Sequence, residues 1–131
     1  MSGTLSIPNS DDVRLLTEIG FLASARGDVA RAEVIFGALL LSRPDAAFPR
    51  VGLATALMNA SRPGEAAALL AKTVNLTGAD ADLVQAMLGL ALQLDGKTAQ
   101  SSRVLRDLIK GRTDDEAPSD GVRLALKLLG E

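Results

Sequence analysis

From Asp11 onward, apolar residues return every three or four positions, and short clusters of Gly, Ser, Asp and Pro break the rhythm at regular intervals. The first such run carries Val13, Leu15, Leu16, Ile19, Leu22 and Ala23, which predicts an amphipathic helix with those residues inward. Ser10 or Asp11 is placed to cap its start, and Gly27 to stop it. Asp28 then opens a second helix with Val29, Ala32, Ile35, Phe36, Leu39 and Leu40 inward. Ser42-Arg43-Pro44 ends that helix, because the residue before a proline is pushed out of the helical region.

The pair recurs further along. Gly20, Ala54 and Gly89 form one class of equivalent positions, and Gly27, Ser61 and Gly96 form the helix-ending class. Ala32, Ala66 and Ser101 follow, then Phe36, Leu70 and Leu105, then Pro44, Gly78 and Thr113. The step is 34 residues from the first unit to the second and 35 to the third, the period of stacked helix-turn-helix units. Each class has a physical reason. A small residue at 20, 54 and 89 lets the first helix of a unit press on the second, where 32, 66 and 101 are the reciprocal small surface. Phe36, Leu70 and Leu105 fill the gap between units, and no unit buries its apolar face alone.

The boundaries that follow are a tail at 1–10, units at about 11–45, 46–79 and 80–112, a polar and acidic break at 113–118, and a last helix at 119–131. Ser119-Asp120 opens that helix, which carries Val122, Leu124, Ala125, Leu126, Leu128 and Leu129. Its place suits a helix that covers the open face of the third unit. The wide stripe of Leu124, Leu128 and Leu129 leaves a homodimer contact as the alternative.

Composition supports an all-α chain. Of the 131 residues, 47% are hydrophobic and only 2% aromatic, with three Phe and no Trp or Tyr, so the residues that favour strands are scarce. A net charge of -2 gives no global field toward nucleic acid or an anionic membrane. The absence of Cys removes thiolate metal sites and thiol nucleophiles, and the absence of His removes the commonest general base and metal ligand.

The carboxylate groups Asp11-Asp12, Asp80 with Asp82, and Asp114-Asp115-Glu116 fall at expected helix starts or in the break, where capping and the helix dipole account for them. No catalytic site, metal or cofactor is expected, and the chain reads as a non-enzyme. MSGTLSIPNSDD has neither a basic nor an apolar region of a secretory signal, and the longest apolar run, VIFGALLL, is too short to span a membrane. A cytoplasmic protein is expected. Arg103, Arg106, Lys110 and Arg112 read as a solvated basic face, with no aromatic residues interleaved for nucleic acid.

Leu16, Ile19-Gly20, Ala23, Ala32, Phe36 and Pro44 in the first unit resemble the tetratricopeptide repeat, as do Leu53-Ala54, Leu57, Ala66 and Leu70 in the second. Leu88-Gly89, Leu92, Ser101 and Leu105 continue the likeness in the third, while the aromatic residues expected early in each first helix are missing. The resemblance covers about residues 11 to 113. It implies a right-handed superhelix of three helix-turn-helix units plus a C-terminal capping helix.

It also implies a concave groove lined by the first helix of each unit: Arg14, Thr17, Phe21 and Ser24, then Phe48, Val51, Thr55 and Met58, then Leu83, Ala86, Leu90 and Gln93. The core of that surface, Thr17, Phe21, Phe48, Val51, Thr55, Met58, Leu83, Ala86 and Leu90, suits the apolar face of a partner helix. The alternative occupant is the chain's own Leu5-Ser6-Ile7-Pro8, or a second copy. The Lys/Asn/Arg clamp by which such domains hold the carboxylate tail of cytosolic heat-shock chaperones is absent, its places being Thr17, Phe21, Gly52, Ala86 and Leu90.

In size and layout the chain is similar to the small chaperones of bacterial type III secretion, which cradle the amphipathic helix of a secreted subunit, sometimes beside a co-chaperone. A scaffold or adaptor subunit of an envelope or pilus assembly, and an enzyme or regulatory subunit whose chemistry lies in its partner, are the other readings.

Overall fold

The computed structural model describes residues 9–112 and 117–130. The expected occupant segment Leu5–Pro8, the acidic Asp114-Asp115-Glu116 and the turn position Thr113 lie outside the described residues. Those described form seven helices and no strand: α1 (Ser10–Ala25), α2 (Val29–Ser42), α3 (Phe48–Asn59), α4 (Pro63–Ala71), α5 (Gly78–Leu94), α6 (Thr98–Lys110) and α7 (Asp120–Leu129).

Local chemistry sets their ends. Asn9, not Ser10 or Asp11, caps α1: its side chain accepts from the Asp12 N–H at 2.9 Å, which leaves Asp11 and Asp12 in the first turn, where the dipole favours them. Asp28 caps α2 through the Arg31 N–H at 3.2 Å, and α2 stops at Ser42 before Arg43-Pro44. Proline begins α4, and there Arg62 and Glu65 form a two-pronged ion pair, one arm at 2.7 Å. Hydrogen bonding from Arg62 holds the Glu65 carboxyl below its ordinary range.

The three helix-ending positions share one backbone state. Gly27, Ser61 and Gly96 have φ of 68°, 64° and 78°, the left-handed conformation that turns each first helix directly into the second. Ser61 holds this state with a Cβ, which the two glycines avoid.

Packing follows chain order. α1 packs on α2, α3 on α4 and α5 on α6; α2 also packs on α3 and α4 on α5. First helices meet as well, α1 with α3 extensively and α3 with α5 only slightly. The large side chains Phe36, Leu39, Leu70, Val84 and Leu105 are almost wholly buried, and so are the small residues Ala32, Ala54, Ala66 and Ser101 between them.

Phe36 shows how the spacing works. A Cβ on Gly20 would lie 2.7 Å from its ring, and one on Gly52 would overlap the same ring. The phenyl group therefore sits in a slot cut by one glycine of α1 and one of α3. Gly52 carried no sign of this in the repeat pattern. Excluding water from a ring of that size contributes about 2–3 kcal/mol.

One expectation about α1 changes at three residues. Leu15, Ile19 and Leu22 were read as inward, yet they are 56%, 39% and 60% exposed, and the buried residues of α1 are Gly20, Ala23 and Ser24. The close approach required by Gly20 turns the small side of α1 inward, so Leu15, Ile19 and Leu22 stand to the outside, while Val13 and Leu16 stay half-buried against the core.

Candidate partner-binding surface

Of the nine residues expected to form the groove, Phe21 is the most open. It is 37% exposed and meets Phe36 edge to face, with ring centroids 5.1 Å apart at 70°. Thr17 on α1 and Thr55 on α3 are half-buried. Their hydroxyls donate to the Val13 and Val51 carbonyls at 2.6 and 2.7 Å, so neither adds an unmet polar group to the surface.

Phe48, Val51 and Met58 on α3 are half-buried and pack against the apolar core, while Leu83 and Leu90 on α5 are also half-buried. Ala86 is wholly buried and cannot touch a partner. Ser24, also expected in the groove, is wholly buried. Its one hydroxyl proton is shared between the Gly52 carbonyl at 2.6 Å and the Gly20 carbonyl at 3.1 Å, while Asn59 Nδ2 donates to the Ser24 carbonyl at 2.9 Å. This polar clasp ties α1 to α3.

The α1 and α3 members of the expected groove are thus brought onto neighbouring helices. The α5 members are joined to them only loosely, because α3 and α5 barely touch. A cavity of about 460 Å³ lies elsewhere, lined by Gly78, Ala79 and Asp82 of α5, Ile109 and Arg112 at the end of α6, and Ser119, Val122 and Leu126 around α7. None of the nine groove residues lines it.

That cavity borders a polar bracket which the sequence reading missed. Asp82 is only 3% exposed, so it is not a solvated first-turn acid. Arg112 forms an ion pair with its Oδ1, and Ser119 Oγ donates to its Oδ2 at 2.7 Å. Ser119 Oγ in turn accepts from the Val122 N–H at 3.2 Å as the N-cap of α7.

Arg112, read as the last of a solvated basic run, is committed to this bracket, although, like Arg103, Arg106 and Lys110, it is exposed. The one sequence signal was the setting of Asp82, between Ala81 and Leu83 and past the residues that usually cap. Both carboxylate oxygens are engaged, which marks the bracket as a tie between helices and not a free acid for chemistry.

Among the described residues no group of three or more acidic, His or Cys side chains could hold a metal ion, and no helix is long and apolar enough to cross a membrane. Comparison with protein-family models, with curated proteins and with solved structures returns no match in any of the three.

Proposed function

We propose that this chain is a non-catalytic protein-binding module of tetratricopeptide-repeat type, three helical hairpins and a closing helix, that holds an apolar or amphipathic helix of another polypeptide. The observation that carries the reading is Phe21: a phenyl ring 37% exposed, braced edge-on by buried Phe36, on a helix that packs against α3, which carries half-buried Phe48, Val51 and Met58. A rigid aromatic anchor beside apolar neighbours is the kind of feature from which contact surfaces draw their binding energy. Within that class, the small bacterial type III secretion chaperones supply the specific form of the proposal. The chain would cover an assembly-prone helix of a secreted subunit in the cytoplasm until export.

A scaffold or adaptor role is favoured by a different observation. Phe48, Val51 and Met58 already pack on the protein's own core, which leaves a shallow surface better matched to a folded partner than to a deeply seated helix. Co-purification from the native host, with mass spectrometry of what accompanies the chain, separates the two. A short helical subunit supports the chaperone, and a folded component of a larger assembly supports the adaptor.

The surface itself is tested by Phe21→Asp, expected to keep the helical circular-dichroism signal and to lose the co-purifying partner. Equal capture by wild type and variant would place the partner on some other face.

A further inference from the structure

On the side of α1 turned away from α3, five residues follow one another at steps of four, four, three and four: Asp11, Leu15, Ile19, Leu22 and Arg26. Such steps keep all five on one helix face. The three apolar members are 39–60% exposed. Asp11 and Arg26 have no ion-pair partner among the described residues, although four of their neighbours do pair: Arg14 with Glu18, and Asp28 with Arg31. The stripe is therefore apolar in the middle, acidic at its start and basic at its end.

We propose that this face is the contact by which two copies of the chain pair, with α1 lying antiparallel to α1 of the second copy. Reversing the stripe on itself sets Leu15 opposite Leu22 and Ile19 at the centre. The same register sets Asp11 opposite Arg26 at both ends, so each unpaired charge meets one opposite charge and the contact forms twice. Glu18, near the centre, carries its own countercharge, Arg14, at 3.5 Å. A parallel arrangement would instead put like charges together at each end, so the charges choose the direction.

A second copy is the occupant that this symmetry fits, because an isologous contact requires a self-complementary patch. The stripe lies on a different side of α1 from Phe21, so the pairing goes beyond the partner reading above and stands or falls separately from it.

The test is the mass of the full chain by analytical ultracentrifugation across the micromolar range. Wild type is expected to approach twice 13.6 kDa as concentration rises. Leu22→Asp is expected to remain monomeric with its helical signal unchanged, since Leu22 contributes little to the interior. Asp11→Arg alone and Arg26→Asp alone each create two like-charge contacts and should weaken pairing severalfold, more so at low salt. The double reversal, Asp11→Arg with Arg26→Asp, should restore it to within about twofold of wild type.

A wild-type chain that stays monomeric throughout overturns the proposal. So does a dimer that the double reversal fails to restore, which would pair through another surface. A monomer that begins to pair only when Leu5 and Ile7 are replaced by Asp would assign the stripe to the chain's own first residues and equally overturn it.

Discussion

At the end formed by α5 and α6 the chain lays α7 over its own apolar surface, whereas at the α1–α2 end Leu15, Ile19, Leu22, Val34 and Leu41 face outward. Val122 and Ala125 of α7 are 5% and 0% exposed, while Val34 and Leu41 are 73% and 88%. The difference lies in what holds a covering helix. The closed end has a polar bracket, Arg112–Asp82–Ser119, and a glycine, Gly121, that lets α7 touch the backbone of α5. The open end has neither, among the described residues. Apolar residues are thus present at both ends, and directed contacts decide which end the chain closes itself.

The hardest way to break this comparison is to lift α7 off. A Cβ at Gly121 would overlap the Asp82–Leu83 peptide, which is backbone and cannot step aside. Gly121→Val is expected to cost about 3 kcal/mol, or to undock α7 with a similar loss. The checks are a urea-unfolding midpoint and the rate of proteolysis between residues 112 and 119. If both are unchanged, α7 is not a structural closure.

The next largest effect sharpens the account of how α7 is held. Asp82→Ala removes the acceptor for Ser119 Oγ and the partner of Arg112. A fully buried pair would lose several kcal/mol, but the Arg112 side chain is 37% exposed and can rehydrate, so about 2 kcal/mol is expected. Ser119→Ala, which also removes the α7 N-cap, should cost about 1 kcal/mol. Because both variants break the same chain of hydrogen bonds, the pair together should cost less than the sum. Additive losses would show that the bracket does not act as a unit.

What could be read in advance divides along the same line. Helix content, the turns at Gly27, Ser61 and Gly96, and the interior residues Phe36, Leu70 and Leu105 were legible, because they follow from spacing and small-residue placement repeated three times. The facing of α1 was not. An apolar rhythm says that a helix has a greasy side, yet Gly20, Ala23 and Ser24 make a second, smaller side that packs more closely, and close approach won over side-chain size. Ser24 and Ala86 were assigned to the groove by the same oversight, since a register fixed only by period leaves a residue's depth undecided. Asp82 was misread for a different reason. Its partners, Arg112 and Ser119, are 30 and 37 positions away, and no local rule connects them.

The smallest effect gives the sharpest contrast, because one chemical change made at both ends should have opposite signs. Val122→Ala removes two buried methyl groups under α7 and is expected to destabilise by about 1–2 kcal/mol, through lost burial and the space left behind. Val34→Ala removes the same two groups from a position 73% exposed on α2, where little burial is lost. There the helix gains, since alanine keeps more conformational freedom in a helix than a β-branched residue does, and a stabilisation of a few tenths of a kcal/mol is expected. Thermal unfolding at low protein concentration, where self-association contributes least, reads both. A loss at Val34 as large as that at Val122 would mean that the α1–α2 end is covered after all, and the contrast between the two ends would be gone.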